Sequence, residues 1–142
     1  MDTEKKKKPL RHLFFIRLIA GLIFLIFGVL HLIKPENFKN ILIATDTPMV
    51  QFNLYFVPIV EIVVGAFYLL GFLTRLSGIV GAIVMAIATW STLKLMHLTP
   101  DNLPHGLKEV PFSPPIFIPI ILLLFSIYLI IMGAGAWSVA KK

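Results

Sequence analysis

Four stretches of this chain are long and apolar enough to form membrane-spanning helices: Leu13–Leu32, Phe52–Leu73, Leu76–Met96 and Ile116–Trp137. At ~1.5 Å of rise per residue, ~20 apolar residues cover the ~30 Å of hydrocarbon in a bilayer. The first stretch is longer than the core of a signal peptide and has no small-residue cleavage site before Pro35, so it reads as a span. Of 142 residues, 58% are hydrophobic and 14% charged, more apolar surface than a soluble domain of this size can bury. The fold class expected is all-α: an integral membrane four-helix bundle, one domain over residues 1–142, because four adjacent spans share one core.

The net charge of +6 is arranged by membrane side. Lys5, Lys6, Lys7, Lys8, Arg11, Arg17, Arg75, Lys141 and Lys142 share one face, and Lys34, Lys39, Lys94 and Lys108 the other. The positive-inside rule then puts both termini in the cytoplasm. The lysine run is sufficient as a topology signal and a contact to anionic lipid, so no nucleic-acid partner is expected.

Between the spans, "IKPENFKNILIATDTP" carries Phe38, Ile41 and Leu42 on helical spacing, which predicts a short interfacial helix. Thr47 and Pro48 read as the N-cap and first residue of the second span. "LTRLSG" forces a tight hairpin between the second and third spans. The second long loop, "HLTPDNLPHGLKEVPFSPP", is irregular, with Ser113 and Pro114 restarting a helix; the two long loops could together cover the bundle. Gly133 and Gly135 end the last span, with Trp137 as an interfacial anchor.

Polar and small residues fall on continuous helical faces. In the first span these are Arg17, Gly21, Phe24, Gly28 and His31; in the second, Pro58, Glu61, Gly65, Tyr68 and Phe72. Glycine allows close backbone approach, so both faces should look inward. The third span offers Gly78, Gly81, Met85, Thr89 and Thr92, and the fourth Pro119, Leu122, Ser126, Leu129 and Gly133. Measured from the outer boundary, Glu61 should lie ~14 Å deep and Arg17 ~21 Å deep, a gap that an arginine side chain can largely close. An intramembrane Arg17–Glu61 pair is therefore expected, since either charge alone would cost at least ~2.5 kcal/mol. The pair could serve a ligand or only lock helix register, and a protonated Glu61 beside Thr89 and Ser126 is the third reading.

Toward the outer face stand His31, Lys94 and His97. Haem or metal ligation would need ligand spacing that is missing here, so no metal is expected. A flat hydrophobic ring with polar ends, such as a quinone, suits the region better. Phe24, Tyr68, Met85 and Trp90 are its candidate walls, Glu61 or His31 its hydrogen-bond partners, and Thr89 and Ser126 further pocket candidates. With no cysteine, and no nucleophile, flavin motif, haem-attachment motif or phosphate loop, the chain has no intrinsic cofactor. Hydride or electron transfer would need a partner.

The chain resembles the DoxX family of small four-helix bacterial membrane proteins. The resemblance runs from Arg17 to Ser138 on "RLIAGLIFLIFGVLHLIKP", "VPIVEIVVGAFYLLGFLTRLSG" and "GAGAWS"; His31 stands where many members have lysine. It implies a multi-pass protein of the bacterial cytoplasmic (inner) membrane, acting as an accessory subunit or partner of a quinone-linked redox or oxidative-stress system. The expected partners are the lipid bilayer, a redox-complex protein and, in one arrangement, a second copy as homodimer. The rival readings are a small transporter or permeability factor for aromatic compounds, and a purely structural subunit.

Overall fold

The computed structural model describes residues 11–103, 107, 111 and 115–135. Helix α1 spans Arg11–Ile33, α2 Pro35–Ala44, α3 Val50–Leu70, α4 Thr74–Met96 and α5 Phe117–Met132, with a 3-10 turn at Pro100–Asn102. Helices α1, α3 and α4 have 23, 21 and 23 residues and are apolar enough to cross a bilayer. The protein is thus an all-helical, multi-pass integral membrane protein. Residues such as Ile19, Ile26, Ile59, Ile83 and Ile87 lie exposed on the outer faces, the side such a protein turns to lipid.

The fourth apolar helix is shorter than its sequence suggests. α5 has 16 residues, ~24 Å at 1.5 Å per residue, because it begins after Pro115 and stops where Gly133 takes φ +82°. Trp137, Ser113 and Pro114 lie outside the described residues, as does the rest of the expected C-terminal extension of this span.

The antiparallel helices α1 and α3 touch through glycine. A Cβ added to Gly21 would stand 2.9 Å from the Gly65 carbonyl oxygen, and one on Gly28 would stand 2.8 Å from that of Pro58. Gly21 therefore faces Gly65 and Gly28 faces Pro58, which fixes the register of the pair. α4 and α5 form a second close pair, in which Gly78 lies against Ser126 and Ile130. Packing is closer within each pair than between them. A seam is left down the bundle.

One half of the seam is filled. Phe24 and Tyr68 are fully buried and meet edge-on, with ring centroids 5.6 Å apart, and the Tyr68 hydroxyl lies 2.7 Å from Ser126 Oγ. Gly81 gives room for this cluster, since a Cβ there would come within 2.6 Å of the Tyr68 hydroxyl. The three-residue hairpin from α3 to α4 closes this end, with Gly71 and Leu73 both left-handed. At the other end α2 buries Phe38 and Leu42 against Leu54 of α3, as its amphipathic spacing predicts.

Thr47 and Pro48 do not cap α3. The helix begins two residues later, after Met49 in a left-handed conformation, because Thr47 is already engaged: its hydroxyl lies 2.8 Å from that of Thr45, whose own Oγ1 donates to the Ile41 carbonyl.

The contact geometry predicts unequal costs of adding one methyl group. In Gly65→Ala the new Cβ meets backbone atoms of Gly21 and Leu25 at 2.7 and 2.8 Å, whereas in Gly78→Ala its nearest neighbour is the flexible Ile130 side chain. Gly65→Ala should therefore lower stability by roughly 1–3 kcal/mol and Gly78→Ala by less, read as thermal midpoints of the detergent-solubilised proteins.

Candidate functional site

The two ionisable residues expected to pair stand at opposite ends of the bundle. With Gly21 facing Gly65 and Gly28 facing Pro58, Arg17 lies level with Leu69, eight residues or about 12 Å along the axis from Glu61. Helical side chains also lean toward their own N-terminus. In this antiparallel pair Arg17 leans toward the hairpin end and Glu61 toward the α2 end, so they point away from each other. The Arg17–Glu61 pair is not formed.

Arg17 instead sits fully buried where two helices end. Its Nη1 donates to the Tyr68 carbonyl, in the last turn of α3, at 2.9 Å, and its Nε to the Ala134 carbonyl, just past α5, at 2.8 Å. The ring of Phe14 lies 5.5 Å from the guanidinium. Carbonyls at helix C-termini carry partial negative charge, and this arrangement places a cation against one of them, that of Tyr68, and against a second carbonyl two residues past α5.

Glu61 finds its partner at the other end. His31 lies six residues past Leu25, the residue level with Glu61, and the ~9 Å of axial separation is closed because here both side chains lean inward. His31 Nδ1 and Glu61 Oε1 are 2.9 Å apart. The imidazole stacks on Phe38 of α2, with centroids 4.3 Å apart and planes 13° from parallel. An interfacial helix thus holds the ring that holds the carboxylate. Neither Thr89 nor Ser126 bonds Glu61: Thr89 Oγ1 donates to the Met85 carbonyl of its own helix, and Ser126 is engaged with Tyr68.

The unfilled half of the seam is a cavity of about 380 Å³. Glu61 and His31 line it together with Phe27, Phe38, Met85 and Trp90, and its rim carries Thr45, Asp46, Thr47 and Asn53. Of the residues expected to form a pocket, His31, Glu61, Met85 and Trp90 do so. Phe24, Tyr68 and Ser126 form the closed cluster beneath, Thr89 is not among the lining residues, and Arg17 belongs to the far end. α2 and the Asp46–Pro48 segment provide the cover, whereas no described residue of the 98–115 loop lines the cavity.

Two cavity residues of α4, Ile87 and Trp90, are also 57% and 51% exposed on the outer surface. The cavity therefore reaches the lipid-facing side of α4. Lys94, one turn beyond, lies 4.2 Å over the Trp90 ring and donates to the Thr45 carbonyl at 3.3 Å, tying α4 to the end of α2. His31 is legible in the sequence as a pocket residue, but its pairing with Glu61 is not, because that pairing depends on register and on the direction of side chains on antiparallel helices.

A family model described as DoxX matches residues 12–94, which contain all of α1 but its first residue, α2 and α3, most of α4 and the His31–Glu61 pair, but not α5. No curated protein and no solved structure matches the chain.

Double substitution distinguishes the two polar centres. Arg17→Ala and Glu61→Ala should be additive in their effects on stability within about 0.5 kcal/mol, because the residues share no partner. His31→Ala and Glu61→Ala should couple by at least ~1 kcal/mol, as each removes the same charge-assisted bond. Denaturation of the four single and double variants in matched detergent reads both numbers.

Proposed function

The chain belongs to the DoxX family, and from that membership and the cavity we propose that it binds a flat hydrophobic ring of the quinone and quinol class between its two helix pairs. The observation that carries this reading is a buried carboxylate, hydrogen-bonded to an imidazole, inside an otherwise apolar cavity of about 380 Å³. Ligand sites of 300–1,000 Å³ are built in this way, from apolar walls with few polar groups. Ionisable residues within membrane-spanning helices are costly to keep, and such residues mark functional sites.

In this reading the protein is an accessory subunit or partner of a quinone-linked redox or oxidative-stress system in the bacterial inner membrane, with both termini cytoplasmic on the positive-inside rule. The ring slides in from the bilayer past Ile87 and Trp90, and its polar end meets Glu61 and His31. Electrons are supplied or taken by a partner protein. Two features speak for a binding subunit over a carrier. The Phe24, Tyr68 and Ser126 cluster fills the seam beneath the cavity, and the Arg17 layer lies beyond it.

The test is saturable binding of a short-chain ubiquinone or menaquinone analogue, offered oxidised and reduced, to the protein in lipid nanodiscs. Ala88→Trp places an indole where Ala88 lines the cavity and should abolish binding. Glu61→Gln keeps the shape but removes the charge and should weaken binding by roughly tenfold, the size of one lost charge-assisted hydrogen bond. Binding unchanged in both variants would remove the cavity from the function.

A further inference from the structure

The His31–Glu61 pair leaves two polar atoms over. Oε1 of Glu61 is taken by His31 Nδ1, while Oε2 of Glu61 and Nε2 of His31 have no hydrogen-bond partner among the described residues. They are not sealed in protein, since Thr74 Oγ1 is the one buried, unpartnered side-chain polar atom among those residues. Both residues line the cavity. The Glu61 side chain is only 5% exposed, so what its second oxygen meets is the cavity.

Counting protons over the pair determines what a ligand encounters. When the pair carries net charge −1, a carboxylate faces a neutral imidazole whose one ring proton is on Nδ1 and donated to Oε1. Lone pairs then face out from both Oε2 and Nε2. One further proton makes the pair neutral overall, whether as carboxylate and imidazolium or as acid and neutral ring. In each of these arrangements one of the two free atoms is a donor and the other an acceptor. Neither charge state presents two donors. At least one lone pair in an apolar cavity has to be met by a hydrogen that the ligand brings.

We infer that this site selects the hydroxyl-bearing form of its ring, a hydroquinone or other phenol, over the carbonyl-only quinone; the inference rests on the ring-binding reading above. A hydroxyl both donates and accepts, so it meets both free atoms of the neutral pair and one of the two lone pairs of the charged one. A quinone carbonyl only accepts and leaves a lone pair facing a lone pair. An unmet buried acceptor costs ~1–3 kcal/mol, which at 1.4 kcal/mol per tenfold is a discrimination of roughly 5- to 140-fold.

The experiment uses the full chain in nanodiscs at neutral pH without oxygen, and three ligands that share one tetramethyl-substituted ring: tetramethylhydroquinone, tetramethylbenzoquinone and the dimethyl ether of the hydroquinone. The hydroquinone should bind at least about fivefold tighter than either of the others. The ether keeps the ring and its oxidation level and replaces each hydroxyl hydrogen by a methyl group, so it can accept but not donate; hydroquinone and ether of equal affinity would overturn the inference and leave the ring-binding reading standing. A quinone that binds as tightly as the hydroquinone would do the same. Failure of all three to bind saturably would overturn both. Glu61→Gln, which exchanges an acceptor for an amide that can also donate, should lose the preference; a preference retained in a folded Glu61→Gln protein counts against the assignment. The three-ligand comparison on the wild type stands even where that variant does not fold.

Discussion

The close approach of α1 and α3 at Gly21 and Gly65, and at Gly28 and Pro58, governs the rest of the molecule. These contacts admit no side chain on the glycines without displacing backbone, so they set the register of two antiparallel helices to within a residue. Register and the N-terminal lean of helical side chains together decide which polar groups can meet. Arg17 is carried away from Glu61 and onto the ends of α3 and α5, whereas His31 is carried toward it. A shift of one turn, ~5.4 Å, would break both arrangements.

The two polar centres solve the same problem differently. A charge inside a bilayer needs partners, since none is available from lipid. Arg17 takes the Tyr68 carbonyl in the last turn of α3 and the Ala134 carbonyl of the segment after α5, so a single guanidinium ties three segments at the hairpin end. That centre is buried among backbone and offers no surface. Glu61 takes one bond from a histidine held by α2, and the pair borders open space. The first arrangement suits a fastener and the second a site.

Apolar length made the spans readable from sequence, and the α2 helix followed from the spacing of Phe38 and Leu42; a tight hairpin was also legible from the short link, but it forms at Gly71–Leu73, and Thr74–Gly78 of the expected turn belong to α4. The inward stripes were also readable and contain both members of the true pair, although Phe72, expected on the second, lies exposed in the hairpin past the end of α3. What failed was the step from stripe to partner. Depth was counted from the loop boundaries, which put Arg17 and Glu61 ~7 Å apart; the glycine contacts place them ~12 Å apart with side chains diverging. The Thr47 cap failed because that hydroxyl had a nearer partner in Thr45, and the early end of α5 because Gly133 leaves helical conformation before the apolar run is over.

The cavity raises its own energetic question. At ~24 cal/mol per Å³, an empty apolar void of 380 Å³ would cost on the order of 9 kcal/mol, comparable to the whole stability of a small domain. A seam that reaches the lipid-facing side of α4 need not stay empty, because an acyl chain can enter it past Ile87 and Trp90. Any ligand then displaces a lipid tail that is as apolar as the walls, and the exchange of one hydrophobic body for another yields little free energy. Discrimination is left to the polar end, where a tail makes no hydrogen bond and a ring hydroxyl makes at least one. On the proposed ring-binding reading, the walls set the shape a ligand must have, and the carboxylate beside His31 decides which ligand of that shape stays.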